Sequence, residues 1–365
     1  MENTFHKPHQ DRIFGLDILR FCAIVFVVAA HGRSMAQDTI LFEFPYLIFN
    51  DGVNLFFALS GFLIGGILLK QTNVLNEFSA SNLLSFWKRR WLRTLPNYYL
   101  ILLVNIVLVK FHLVQADFNG FNWRFFLFLH NFSSGFNDFF LESWSLSIEE
   151  WFYIFAPLLL FGFIKIWPVK KAFLITVLIL IIAPVFFRLL KYDPDGFHWF
   201  QTDSEVRKVV VMRLDAIGYG LLAAWLAFYY GDFWKKCRFW FLGLSILSHL
   251  LIDYLNASGN ILYLQVLEFS LLAATSVLYL PLADSIKTAT GIIPKFITYI
   301  SKISYSMYLV NLGIVSSVMR QHFPVKDTTD GVIKYILYWC IVIGLSGILY
   351  RFFEKPVMNL RSKIR

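Results

Sequence analysis

Ten long apolar runs separate the charged residues of this 365-residue chain. The hydrocarbon core of a bilayer is about 30 Å thick, and a helix needs roughly 20 apolar residues to cross it. The sequence therefore predicts an all-α, polytopic membrane protein with about ten transmembrane helices in one bundle. The predicted spans are residues 14–33, 51–70, 94–111, 148–167, 172–190, 208–230, 239–255, 261–283, 298–319 and 332–352.

The composition and the distribution of charge support this interpretation. Hydrophobic residues make up 58% of the chain and charged residues only 16%, which is more apolar surface than a soluble core requires. Most Lys and Arg residues fall in loops or helix ends on the side of the membrane where the amino terminus is predicted to lie. The positive-inside rule makes that side cytoplasmic. We expect both termini in the cytoplasm and one membrane domain over residues 1–365, with no attached soluble domain. The net charge of +9 then needs no nucleic-acid partner.

A cleaved signal peptide and a cysteine-based site are both less consistent with the sequence. The first span could be a cleaved signal peptide, but its apolar stretch is long for a signal and it holds two ionisable residues. Cys22, Cys237 and Cys340 are scattered, so they form neither a disulfide framework nor a metal-binding pattern. We expect no metal cofactor.

Arg20 and His31 are the two ionisable residues of the first span. Their separation of eleven positions is about 20° more than three whole helical turns, so they share one face, ~16 Å apart along the axis. Buried charge in a membrane usually faces a cavity or a partner, and the pair is predicted to line one path. Alternatively, Arg20 could snorkel to the inner surface and His31 could be a packing residue.

Four cations precede the third span, and three of them, Arg89, Arg90 and Arg93, are candidate ligands for phosphates. Arg90 and Arg93 lie about one turn apart on one helix face. Guanidinium groups bind phosphate with bidentate geometry, which suggests a nucleotide-like donor on the cytoplasmic side. A plain positive-inside anchor is the alternative.

Ser145 and Glu149 are four residues apart at the predicted outer end of the fourth span. This spacing puts them on one helix face, at the end of the bundle where His31 is also expected. A carboxylate beside a histidine orients the ring and raises its basicity. Helix capping by Ser143 or Ser145 is the competing interpretation.

Two further motifs have both a packing and a ligand-binding interpretation. Ser60 and Gly61 are followed by Gly65 and Gly66, a small-residue spacing that allows helices to approach closely or leaves room for a ligand chain. Arg213 and Asp215 begin the sixth span, either as an interfacial ion pair or as substrate-binding groups.

Five motifs follow one another along the chain: Arg20 with His31, Phe56–Phe62, Arg90 with Arg93, Ser145–Glu149 and Phe353–Pro356. This ordered set resembles the acyltransferase-3 family of integral membrane proteins over nearly the whole chain. The resemblance implies a ten-helix bundle in the bacterial inner membrane. Such a protein would move an acyl group, most often acetyl from acetyl-CoA, to a hydroxyl of a cell-envelope carbohydrate such as lipopolysaccharide O-antigen or exopolysaccharide. The acceptor could be lipid-linked.

The resemblance marks Arg20 with His31, the paired arginines and Ser145 with Glu149 as functional motifs, and the chemistry of ester formation suggests a role for each residue. His31 would be the general base, oriented by Glu149, with Ser145 bound to the carboxylate or the acceptor. Arg20 and the arginines at 89, 90 and 93 would hold the charged end of CoA, whereas Ser60, Arg213 and Asp215 would contact substrate. A covalent acyl-enzyme intermediate on His31 or Ser145 stays open.

Two departures from the family limit these assignments. Asn311 stands where relatives often have histidine. Some relatives also carry a carboxy-terminal hydrolase-like domain, which this chain is expected to lack.

Two other functional classes remain as alternatives: a transporter or flippase of an anionic glycolipid or acyl donor, and a non-catalytic scaffold.

Overall fold

The structure is a computed structural model that describes residues 12–37, 39, 41–42, 52–75, 79–196 and 199–360. Over these residues the chain is all-α, without a β-strand. Ten long helices, here α1 to α10, form the bundle. In chain order they are Phe14–Gly32, Gly52–Leu75, Ala80–Lys110, Ser143–Ile164, Val169–Leu190, Leu214–Tyr229, Arg238–Ala257, Tyr263–Ser285, Ile292–Val310 and Thr328–Leu349.

Each predicted span overlaps one of these helices, which confirms the predicted fold class. Among the described residues, eight helices are long and apolar enough to cross a membrane. The other two are α6, a shorter apolar helix, and α9, which carries Lys295, Lys302 and several hydroxyl groups. The chain is a multi-pass integral membrane protein. Residue 51 and both termini lie outside the described residues, so the cytoplasmic location of the termini stays a prediction.

Small residues hold α2 and α6 together along their length. A Cβ atom on Gly61 would clash with the carbonyl oxygen of Ile217, and one on Gly220 would clash with that of Ala58. Close backbone approach of this kind is how membrane helices associate where lipid removes the hydrophobic driving force. The packing interpretation is therefore correct for Gly61.

An aromatic loop covers one end of the bundle between α3 and α4. Within it, the His130 ring stacks on Phe125 with the centroids 4.1 Å apart, and its Nε2 atom lies 2.9 Å from Ser143 Oγ. Burial lowers the pKa of His130 to about 3, so this imidazole is neutral at physiological pH. His130 is a packing residue of the loop.

Four described segments of the carboxy-terminal half widen into π-helical turns. They are Asp203–Arg207 before α6, Tyr263–Leu267 at the start of α8, Asn311–Ser316 directly after α9, and Tyr350–Glu354 directly after α10. Such turns are rare and occur frequently at functional sites. The turn Asn311–Ser316 lies against the end of α1 that carries His31.

Candidate active site

Among the described residues, α1 contributes side chains to two cavities inside the bundle. The first, the arginine cavity, has a volume of about 110 Å³ and is lined by Arg20 among others. The second, the His31 cavity, has a volume of about 630 Å³. Val53 and Tyr308 line both cavities. The shared face of Arg20 and His31 that helix geometry predicts thus opens onto two adjoining cavities.

The arginine cavity collects most of the predicted donor-binding residues. Besides Arg20, its polar lining includes Arg90 and Arg93 from α3, Glu149 and Tyr153 from α4, and Ser60 from α2. The hydroxyl groups of Ser60 and Tyr153 lie 3.1 Å apart. Three guanidinium groups around one carboxylate leave the cavity positively charged, which suits an anionic ligand. Arg89 is half-buried on α3 and does not line this cavity.

A hydrogen-bonded group at one end of α1 holds Arg20 in place. Its Nη1 atom lies 3.5 Å from Asp17 Oδ1 and 3.4 Å from Ser301 Oγ. Asp17 is also paired with Arg12 and accepts a hydrogen bond of 2.9 Å from Ser301. The Arg20 side chain is 17% exposed. Arg20 therefore faces a partner and a cavity, and does not simply snorkel to the membrane surface.

The ring of His31 is oriented by Asn311. The two atoms concerned, His31 Nδ1 and Asn311 Oδ1, lie 2.5 Å apart. Asn311 Nδ2 donates to the carbonyl oxygens of Met307 and Tyr308, at 2.9 and 2.7 Å, so its Oδ1 must be the atom that faces the ring. Because that oxygen can only accept, His31 carries its proton on Nδ1 and keeps the lone pair on Nε2. This is the tautomer that a general base needs.

Ser145 and Tyr308 form the polar contact between the two cavities. Their hydroxyl oxygens lie 2.5 Å apart, and both residues line the arginine cavity. Ser145 Oγ also lies 3.3 Å from the carbonyl oxygen of Glu142. The N-cap residue of α4 is Glu142, and its side chain makes no capping hydrogen bond. Neither Ser143 nor Ser145 therefore caps this helix.

Two members of a charged cluster, Asp203 and Arg207, line the His31 cavity. Asp203 pairs with Arg207 at 2.5 Å and with Lys208 at 2.6 Å. Burial alone would raise the pKa of Asp203, but the two cations outweigh it and hold the pKa below its usual value. Arg207 also stacks over the ring of Trp144, 4.7 Å from its centroid. The cavity thus offers charged and aromatic groups together, a lining that suits a polar ligand with apolar faces.

The structure does not bring Glu149 to His31. Glu149 lines the arginine cavity and His31 lines the other one, where Asn311 is the hydrogen-bond partner of the ring. The proposed orientation of His31 by Glu149 therefore finds no support in the geometry. The physical reason is the rise of the helix. Glu142, just before α4, lines the His31 cavity, and Glu149 lies ~10 Å farther along the helix axis.

Arg213 and Asp215, expected to contact substrate, line neither of these cavities. Both are fully buried. Asp215 Oδ2 accepts hydrogen bonds from Arg188 at 2.8 Å and from Ser270 at 2.5 Å, whereas Arg213 donates to Asn54 at 2.8 Å. These contacts tie α5, α6, α8 and α2 together, so the two residues belong to a structural network of the bundle.

Two residues of the site, Tyr308 and Glu142, were not predicted from the sequence, and neither was the contact of Asn311 with His31. Asn311 was singled out only because relatives often carry histidine at that position. A buried glutamate just before a helix has no sequence signal that separates it from an exposed one. Over the described residues, no group of three or more His, Cys, Asp or Glu side chains could hold a metal ion.

Comparison with known proteins agrees with this architecture. The acyltransferase domain model of acyltransferase family 3 matches residues 13–351, so the chain belongs to that family. A protein named putative O-acetyltransferase from Staphylococcus aureus (strain COL) is 27% identical over 94% of this chain and 56% of its own length. The peptidoglycan O-acetyltransferase OatA of Listeria monocytogenes is 34% identical over 45% of this chain and 26% of its own.

A third relative, the putative peptidoglycan O-acetyltransferase YrhL of Bacillus subtilis, is 32% identical over 53% of this chain and 31% of its own. The Staphylococcus relative, which matches over most of the chain, is much longer, and the chain spans about half of its length. No solved structure matches the chain.

Proposed function

We propose that this chain is a membrane O-acetyltransferase that moves an acetyl group from cytosolic acetyl-CoA to a carbohydrate hydroxyl on the outer side of a bacterial inner membrane. The observation that carries the proposal is the placement of Arg20 and His31 on one helix, in two cavities that share Val53 and Tyr308. A donor held on one side and an acceptor held on the other could then meet inside the bundle.

The arginine cavity is the proposed donor site. Its arginines match the phosphates of CoA in charge and in hydrogen-bond geometry. The cavity volume of about 110 Å³ suits the thioester end of the donor and not its nucleotide. We therefore assign the phosphates to the mouth of the cavity, where Arg90 and Arg93 would hold them and the neighbouring Arg89 would add to the attraction.

His31 is the proposed general base. A sugar hydroxyl is a weak nucleophile at neutral pH, and a positioned imidazole contributes roughly 10² to 10⁴-fold to such a reaction. Nε2 would take the hydroxyl proton as the sugar oxygen bonds to the acetyl carbonyl carbon. The carbon–sulfur bond then breaks, and CoA leaves as a thiolate that takes up a proton. The thioester must pass the Ser145–Tyr308 contact to reach His31, which gives Ser145 a role beside the reacting carbonyl.

The His31 cavity is the proposed acceptor site. Its volume of about 630 Å³ lies within the range of about 300–1,000 Å³ that is usual for small-molecule sites. The names of two relatives refer to peptidoglycan, which makes a peptidoglycan-type glycan the first acceptor to test. Lipopolysaccharide O-antigen, exopolysaccharide and lipid-linked precursors of these glycans are the further acceptors to compare.

The test is mass spectrometry of envelope glycans from cells that lack the gene and from the same cells that express the wild-type chain or His31→Asn. We expect acetyl esters to disappear without the gene and to return only with the wild type. Unchanged acetylation in all three strains would contradict the proposal. If an unmodified glycolipid accumulates on the cytosolic side of the deletion strain, with no loss of ester from exported glycan, a transporter is the correct class.

A further inference from the structure

The π-helical turn Asn311–Ser316 is fastened to His31 at two points. Its first residue, Asn311, accepts the hydrogen bond of the imidazole ring at 2.5 Å. Its last residue, Ser316, donates from Oγ to the backbone carbonyl oxygen of His31 at 3.0 Å. The position of the imidazole and the location of its proton therefore depend on the conformation of this turn.

Glu142 holds the same turn from the opposite side. Its Oε1 atom accepts hydrogen bonds from the backbone N–H groups of Leu312 at 3.2 Å and Gly313 at 2.6 Å. A π-helical turn interrupts the regular backbone ladder, and buried N–H groups released in this way need another acceptor. Glu142 is 1% exposed and lines the His31 cavity.

Residue 313 must be small for this contact to form. A Cβ atom at Gly313 would lie 2.9 Å from Glu142 Oε2 and 3.1 Å from Asn105 Oδ1. The first distance is too short for a normal contact, so a larger residue would push the carboxylate away from the turn. Two separate positions, 142 and 313, thus control the same pair of hydrogen bonds.

We propose that Glu142 is a positioning residue for His31, which acts through the backbone of Leu312 and Gly313 and through Asn311. The inference rests on the proposed function, in which His31 is the base. Glu142 takes no proton from the substrate in this account. Its carboxylate fixes the turn, the turn fixes the Asn311 amide, and the amide keeps the His31 proton on Nδ1.

Three variants and one control separate this role from a general structural one. Glu142→Gln keeps an accepting oxygen for both N–H groups, whereas Glu142→Ala removes it. Gly313→Ala displaces the carboxylate without changing it. Asp195→Ala, an exposed acidic position on a neighbouring loop, is the control for the loss of one carboxylate.

The readout is the tautomer of His31, measured by ¹⁵N solid-state NMR on histidine-labelled protein in lipid bilayers. The His31 signals are identified by their absence in His31→Asn. The wild type, Glu142→Gln and Asp195→Ala should keep the proton on Nδ1. Glu142→Ala and Gly313→Ala should populate the Nε2-protonated form and lose at least tenfold in kcat, with the KM for acetyl-CoA within about twofold of wild type.

Unchanged tautomer and kcat in both Glu142→Ala and Gly313→Ala would overturn the proposal, as would a Glu142→Gln variant that behaves like Glu142→Ala. If Glu142→Ala fails to fold, Gly313→Ala decides. The proposed function is tested separately by the activity of His31→Asn, because the NMR comparison reports the role of Glu142 even if His31 is not the base.

Discussion

Asn311 Oδ1 lies 2.5 Å from His31 Nδ1, and both hydrogens of the Asn311 amide are already donated to backbone carbonyl oxygens. The amide can therefore only accept from the ring, and the lone pair of the imidazole is left on Nε2. An uncharged amide thus sets the proton position of His31, as a carboxylate does in many sites that use a histidine base.

Replacing Asn311 should damage the chemical step more than donor binding. Asn311→Leu removes the accepting oxygen at similar volume and should lower kcat about 10- to 100-fold, because the base loses its tautomer preference. Asn311→Asp keeps the acceptor and should retain more activity than Asn311→Leu. Steady-state kinetics of purified protein in detergent measure both. Equal kcat values for wild type and Asn311→Leu would exclude this role.

The arginine cavity should bind the donor. Replacing Arg90 and Arg93 together by alanine should weaken the binding of acetyl-CoA, and the difference from wild type should shrink at high salt because the attraction that these two guanidinium groups supply is itself screened. Acceptor affinity should change little. Calorimetry of CoA binding at two salt concentrations measures the effect, with Lys295→Ala as a control for the loss of positive charge on the exposed start of α9. Unchanged affinity in the double variant would make these arginines a topology anchor only.

The buried ion pair between Arg188 and Asp215 should matter for stability. Asp215→Ala leaves the Arg188 guanidinium buried without its carboxylate, which typically costs about 3–5 kcal/mol. We expect a markedly lower Tm or loss of the folded protein, measured by fluorescence-detected size-exclusion after heating. Arg188→Met with Asp215→Leu removes both charges and should recover part of the loss. A Tm for Asp215→Ala equal to that of wild type would show that the pair does not hold α5 against α6.

The Asp203 cluster should give a pH-dependent contribution to stability. The pKa of Asp203 is lower in the folded protein than its ordinary value, so the carboxylate stabilises the fold above the unfolded pKa of about 3.9. This contribution is lost as the pH falls through the folded pKa. Asp203→Asn should therefore lower Tm at pH 7, and the difference from wild type should shrink in acid. A difference that is constant with pH would rule out this linkage.

Much of the fold could be predicted from the sequence because membrane insertion imposes a simple pattern. All ten apolar runs became helices, since the bilayer demands about 20 apolar residues for each crossing. The cavity positions of Arg20 and His31 also followed from helix periodicity alone. Each of these features depends on the sequence of a single helix and not on how the helices pack against one another.

The partner of His31 could not be predicted in the same way, because it depends on how several helices pack. Glu149 and His31 were expected at the same end, yet helix rise places Glu149 in the arginine cavity. Asn311 reaches His31 through a local widening of the backbone after α9, for which no sequence rule was available. The buried pair Arg188–Asp215 was likewise hidden, since the sequence suggested Arg213 as the partner of Asp215.

The central claim is that His31 Nε2 takes the proton of the acceptor hydroxyl. The most direct measurement is the rate of acetyl transfer from labelled acetyl-CoA to an oligosaccharide acceptor by purified wild type and His31→Asn in proteoliposomes, with donor binding and Tm checked for both. The account predicts that His31→Asn binds the donor with the wild-type affinity, keeps the wild-type Tm and transfers acetyl at least 100-fold more slowly, within the range of about 10² to 10⁴ expected for a lost general base. Transfer by His31→Asn at the wild-type rate would contradict it.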